Sequence, residues 1–413
     1  MQANYKHIGN YIREVDVRNE GLKVTNLLGL TISKQFIASV ANTVGTDMEK
    51  YKIIRRKQFA CSTMQVRRDG KMPVALLKNF DEAIISQAYP VFEVINENEL
   101  LPDYLMMWFS RAEFDREACF HAVGGVRGSL EWEDFLNMKL PVPALEKQQE
   151  IVAEYTAVQK RIDLNNKLIQ KLEETAQTIY KQWFVDFEFP DQEGKPYKSN
   201  GGEMIESEAG EVPKGWGYVV LKSICSKIGS GATPKGGKES YYNSGISLIR
   251  STNVYDYLFS LDNLAFIDEK QAKALDMVTV QEKDILLNIT GVSVARCCMV
   301  LKFILPARVN QHVMIIRVSK EYNHPYYLLC LMCYTETKAK LLGISQSGST
   351  REAITKTEIE EFIILKPSED MLDFFEIKVA KIFEQIETKI LLNSKLNDLK
   401  ELLLSKMAKR GFC

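Results

Sequence analysis

The sequence predicts an α+β protein. Two duplicated α/β globular segments are separated by two long helices that form an antiparallel coiled coil with pseudo-twofold symmetry. Three observations carry this expectation: the chain repeats itself at a long period, two stretches carry a sustained helical seam, and a polar, turn-rich segment divides the repeats. The expected boundaries are 1–145 for the first globular segment, 146–189 for the first helix, 190–213 for a linker, 214–367 for the second globular segment and 368–410 for the second helix.

The repeat comes first because it organises the rest. Arg127–Pro143 recurs as Arg351–Pro367, 224 residues later. Gly124-Gly125-Val126-Arg127 matches Gly348-Ser349-Thr350-Arg351, and Phe135, Met138 and Leu140 match Ile359, Phe362 and Ile364. The same offset aligns Ala83-Ile84-Ile85-Ser86-Gln87 with Ala307-Arg308-Val309-Asn310-Gln311. Such a period is too long for a solenoid and reads as a duplicated domain plus helix. Within each copy, short β-like runs (Lys52-Ile53-Ile54 and Pro90 to Val94; Ile246 to Arg250 and Val313 to Val318) precede a helical stretch opening at Pro102 or Pro325.

Each copy then ends in a long helix. Ile151, Tyr155, Val158, Ile162, Asn165, Ile169, Leu172, Ala176, Ile179 and Trp183 recur at alternating spacings of four and three, the signature of a coiled-coil seam. A helix over 146–186 would span roughly 60 Å at ~1.5 Å per residue. Asn165-Asn166-Lys167-Leu168 returns in the second helix as Asn393-Ser394-Lys395-Leu396. In an antiparallel pair the two midpoints meet, so Asn165 and Asn393 either hydrogen-bond across the seam and set its register, or both face solvent at a slightly rotated position.

Composition and missing motifs narrow the function. Of 413 residues, 46% are hydrophobic and 26% charged, as in globular chains, and no apolar run reaches the ~20 residues of a membrane span. Met1 to Lys6 lacks the apolar core of a secretory signal, so the expected location is cytoplasmic. Net charge is −1, although Lys50 to Lys57 and the stretch 214–367 lean basic, which permits a polyanion partner. The eight cysteines form no paired-knuckle pattern, and Cys330 and Cys333 sit inside an apolar run, so they read as reduced core thiols. Gly231 to Glu239 resembles a phosphate loop but lacks the Ser/Thr after its lysine and carries Pro234. Asp191 and Glu193-Gly194-Lys195 imitate a nuclease signature with the carboxylates too close in sequence. There is no Asn-Pro-Pro-Tyr segment for amino methylation and no nucleophilic triad. The expectation is a non-catalytic chain with no metal and no cofactor of its own.

Several segments carry a family resemblance. Tyr180-Lys181-Gln182-Trp183-Phe184-Val185-Asp186-Phe187, Met204 to Trp216, the Pro143-x-x-Glu146-x-Gln148-Gln149-x-Ile151 opening of the first helix and Gly229-Ser230-Gly231-Ala232-Thr233-Pro234 resemble specificity (S) subunits of type I restriction–modification systems, over essentially the whole chain. The resemblance implies two target-recognition domains, each reading one half of a split double-stranded DNA sequence, with the helices as a ruler across the unread gap. It also implies docking of two methyltransferase subunits and of restriction/translocase subunits, with S-adenosylmethionine, ATP and magnesium on those partners. Pro367-Ser368-Glu369-Asp370 departs from the Glu-x-Gln-Gln start, which leaves the symmetry of partner docking open.

Base readout needs Arg, Lys, Asn, Gln or Ser/Thr on loops and strands. The candidates are Arg67, Arg68 and Lys71 in the first copy, and Lys235, Lys238, Arg250, Ser251, Asn253, Asn288 and Thr290 in the second. Arg127 and Arg351 occupy equivalent places after glycine turns, where they would either position phosphates or serve as ordinary surface residues. The rival reading is a coiled-coil interaction scaffold with no DNA specificity and no salt-dependent DNA binding.

Overall fold

The computed structural model describes residues 5–39, 45–124, 128–207, 210–346 and 352–410. The chain forms two compact units, Met1–Asp163 with Lys395–Cys413, and Leu164–Ser394.

In the first unit, a four-stranded antiparallel sheet runs in the order Ile12–Val15, Val91–Val94, Phe59–Cys61, Val74–Leu76. Its alternate side chains feed an aromatic core in which Phe59 and Phe92 stack at 5.0 Å and Phe109 and Phe135 pack against them. Beside it lie two strand pairs, Leu28–Leu30 with Phe36–Ala38 and Lys52–Arg55 with Glu82–Ile85. Tyr5–His7 pairs with Lys139–Pro141. The helices Pro102–Phe109, Ala112–His121 and Trp132–Asn137 complete the unit.

The second unit repeats the plan. Its antiparallel sheet runs Cys225–Ser230, Val313–Val318, Ile285–Asn288, Cys297–Met299. A second, mixed sheet runs Ala265–Ile267, Ile246–Ile249, Ala307–Val309, Thr279–Val280, with Ile246–Ile249 parallel to Ala307–Val309. The duplication is visible at single residues. Ile84 faces Leu27 in parallel and Ile53 antiparallel, and Arg308 faces Leu248 in parallel and Thr279 antiparallel. Gly217–Val220 pairs with Ile363–Lys366, and Pro325–Cys333, Thr335–Gln346 and Lys356–Glu360 follow the helix order of the first unit.

The first long helix is Leu145–Phe184 and the second Glu369–Arg410, of 40 and 42 residues. They pair antiparallel. In the first unit Lys400 donates to Gln159 at 2.8 Å and lies over the Tyr155 ring, while Ile151 shares a core with Leu404 and Met407. In the second, Trp183 meets Phe374 at 5.2 Å and Phe184 meets Phe375 at 4.9 Å. Ile151, Ile162, Asn165, Ile169, Ala176 and Trp183 are buried, and Tyr155, Val158, Leu172 and Ile179 half-buried, so the inward face follows the 3.5-residue seam. Asn165 is fully buried on that face. Its amide donates to the Asn393 side-chain oxygen at 2.8 Å, and Asn393 donates to Asn166 at 2.8 Å. The first helix stops where Phe187 turns left-handed (φ 59°), with Glu188 N closing on Gln182 O at 2.7 Å.

Each long helix also caps a short one. Gln148 accepts from Leu101 N at 2.9 Å and donates to Glu99 O and Pro143 O, at the start of Pro102–Phe109. Glu376 accepts from Tyr327 N at 2.7 Å, at the start of Pro325–Cys333. Burial pushes the Glu376 carboxyl up to about 8, against the opposing pull of the Tyr327 and Tyr326 amides and of Lys283.

The segment expected as a linker is folded. Met204–Ser207 and Gly210–Pro213 form an antiparallel hairpin. Phe189 stacks on Tyr197 at 4.5 Å and on Trp216 at 5.0 Å, and Val212 is buried. Polar composition masked this, because three aromatic rings and one valine suffice to anchor a short segment to a core.

Candidate nucleic-acid interface

In both units the hairpin at one edge of the antiparallel sheet is closed by a loop, residues 62–73 in one and 289–296 in the other. The first loop holds a single helical turn, Val66–Asp69, bracketed by left-handed Gln65 (φ 63°) and Gly70 (φ 65°). This bracketing leaves Arg67, Arg68 and Lys71 exposed, with Arg68 Nε on Asp69 at 2.7 Å. Arg67 N donates to Gly128 O at 3.3 Å and Leu130 N to Thr63 O at 2.9 Å. A Cβ on Gly128 (φ 39°) would sit 2.5 Å from Arg67 Cβ, so the close approach requires glycine.

The second unit makes the same two bonds at equivalent positions, Gly291 N to Glu352 O at 3.1 Å and Ile354 N to Ile289 O at 2.9 Å. Its loop presents the fully exposed Val292 and the half-buried Arg296, whose guanidinium lies 4.7 Å from the Tyr255 ring centroid. In both units, then, the fold brings the hairpin loop against the segment 128–130 or 352–354. Arg127 and Arg351 lie outside the described residues, as does the Lys238 side chain. Lys235 is exposed.

Other candidates turn out to be framework. Asn253 is fully buried, accepting from Arg250 N at 3.1 Å and donating to Ser260 O at 3.0 Å and Asp262 O at 3.1 Å. Asn288 is fully buried and donates to Ser251 O at 2.9 Å. The Arg250 guanidinium bonds Asn263 O and lies over Tyr241. Asn253 and Asn288 are therefore corrected to buried caps of the Ser251–Asn253 turn, out of reach of a base, and Arg250 and Ser251 belong to the same brace.

Residues that sequence reasoning passed over lie close to Thr290. Its hydroxyl is 2.7 Å from His312 Nδ1, the other ring nitrogen is 3.0 Å from the Gln311 amide, and Thr233 donates to Gln311 Oε1. The Gly229–Pro234 segment reaches this row because Gly231 packs where a Cβ would lie 2.2 Å from the carbonyl oxygens of Val309 and Asn310. The repeat of Gln87 at Gln311 was the available signal.

The Asp191 carboxylate accepts from Lys195 N, Glu193 N and the Asn200 amide, and these donors, Lys195 N foremost, hold its carboxyl below the usual range. Among the described residues no cluster of three His, Cys, Asp or Glu could hold a metal ion, and no helix is long and apolar enough to cross a membrane.

A model of the type I restriction modification DNA specificity domain matches residues 40–174 and 213–401. The chain is 22% identical to the HindI specificity subunit of Haemophilus influenzae, over 80% of this chain and 81% of that one. It is 25% identical to the MjaIX specificity subunit of Methanocaldococcus jannaschii, over 74% and 68%. Its fold is similar to that of the S subunit of a type I restriction–modification system from M. genitalium, with TM-score 0.58 and 13% identity over 98% of this chain and 96% of that one.

Proposed function

This chain belongs to the type I restriction–modification DNA specificity family, and from that premise we propose how it reads DNA. It is a non-catalytic DNA-recognition subunit and works with DNA and other subunits of a type I complex. The scaffold alternative gives way, because the family match spans both globular segments.

Each unit reads one half of a bipartite target through its hairpin loop and the adjoining segment after the glycine turn. The loops carry different side chains, Arg67, Arg68 and Lys71 against Val292 and Arg296, so the two half-sites differ in sequence. Arg127 and Arg351, each preceding in sequence the residue bonded to its loop (Gly128 and Glu352), position phosphates. Joining both readings in one chain turns two weak contacts into one strong one only when the gap in the DNA can be spanned. Two methyltransferase subunits and the restriction/translocase subunits join this chain, and S-adenosylmethionine, ATP and magnesium belong to them. The observation that carries the reading is the pair of equivalent backbone bonds that brace unlike loops, Arg67 N to Gly128 O and Gly291 N to Glu352 O.

Modified-base sequencing of the host genome with and without the gene tests it. Loss of one split methylated motif on deletion is the expected result. An unchanged methylome, with the methyltransferase shown to be expressed, overturns the reading.

A further inference from the structure

Gln87 and Gln311 occupy one topological position in two surroundings. Each lies three residues beyond the strand node at Ile84 or Arg308, where a parallel and an antiparallel neighbour meet. Both side chains are exposed. Gln311 is held by Thr233 and lies beside His312. Among the described residues, the first unit has no counterpart to that arrangement. There the segment after Ile12–Val15 is Asp16 to Asn19, and Asn19 spends its buried amide on Val24 N and O, at 3.0 and 2.9 Å. Gln87 instead sits in a turn closed by Tyr89 N on Ser86 O at 3.1 Å. A shared internal role therefore does not account for the same residue in both places.

Resting on the reading above, the common element should do the common task. The half-sites differ in their bases but share the sugar–phosphate backbone, and an exposed amide can donate to a phosphate oxygen. We infer that Gln87 and Gln311 are positioning residues, each seating its unit on the DNA backbone, while the unlike hairpin loops read bases. The second unit reaches the same placement through the row Thr290, His312, Gln311, Thr233, which fixes the amide before DNA arrives.

The test uses the full chain in complex with its methyltransferase. Dissociation constants are measured for a duplex carrying the methylated motif and for a scrambled duplex, and the methylome is sequenced in cells carrying each variant. Gln87→Ala and Gln311→Ala should each weaken binding roughly 5–10-fold, the loss of one hydrogen bond, on both duplexes alike. The methylated motif should keep every letter in both variants, and the melting temperature of Gln87→Ala should hold. Relaxation of a base in either half-site would make these residues base readers and overturn the inference. Unchanged affinity of Gln87→Ala, which disturbs no Thr233–His312 row, would overturn it as well. Failure of the underlying reading has its own signature: the unaltered complex would then bind motif and scrambled duplexes equally.

Discussion

At the start of Pro102–Phe109 the first unit places Gln148, which satisfies Leu101 N, Glu99 O and Pro143 O through both ends of its amide. At the start of Pro325–Cys333 the second unit places Glu376, an ionisable carboxyl that accepts from Tyr327 N. The position was kept and the chemistry changed. A neutral amide is buried there without an ionisation cost, whereas a carboxylate is buried only by resisting ionisation. The units differ likewise where the long helices enter them. Tyr180, Trp183, Phe184, Tyr327 and Phe375 form a ring-on-ring contact in the second, and Ile151, Leu404 and Met407 an aliphatic one in the first. Duplicated topology therefore tolerates exchange of the packing chemistry that holds it.

The largest effect should come from breaking the aromatic entry. Phe375→Ala should cost about 3–5 kcal/mol, the range for truncating a buried phenylalanine, and Ile151→Ala about 2–4 kcal/mol in the other unit. Urea denaturation followed by tryptophan fluorescence resolves the two, and an equal loss in both units would erase the distinction.

Glu376→Gln converts the second cap towards the first. Below the ordinary carboxyl pKa of 4.5, folded and unfolded chains are both protonated and Glu376 is neutral in its effect. As pH rises, the unfolded chain ionises first, so stability is lost from about 4.5 until the folded group ionises near 8. The variant should gain roughly 2–4 kcal/mol at pH 8 and under about 1 kcal/mol at pH 5. A gain that stays flat between those pH values would place the difference in packing instead.

Replacing Asn165 and Asn393 together with leucine should raise stability by about 1–2 kcal/mol while weakening register, because a buried polar pair favours specificity over stability. A lower melting temperature for the double variant would mean that the pair contributes net stability. Gly128→Ala should cost about 1 kcal/mol, through its left-handed backbone and the contact with Arg67. It should also blur recognition of one half-site alone in the methylome. Blurring of both half-sites would contradict independent readers.

The helical seam was legible because its period is a property of sequence alone, and burial at Ile151, Ile162, Asn165 and Ile169 follows it. The correspondence of Gln148 with Glu376 was not. The two proline-to-cap intervals differ by four residues, Pro143 to Gln148 against Pro367 to Glu376, so the offset that aligned the strands misaligned the caps. Asn253 and Asn288 misled for another reason. A short amide beside a strand end has the same letter whether it faces a base or caps a turn, and only burial separates the two. Arg67, Arg68 and Lys71 were easier to place, since consecutive cations next to Gly70 favour an exposed turn.

The composition of the first unit has a consequence for the order in which the protein is made. Leu404 and Met407, nearly inaccessible beside Ile151, belong to that unit, yet 231 residues of the second unit, Leu164–Ser394, are synthesised before them. The second unit is continuous in the chain and can close its core while translation proceeds. The first begins earlier on the ribosome but must wait, with part of its apolar surface uncovered, until the helix segment that carries Leu404 and Met407 is made.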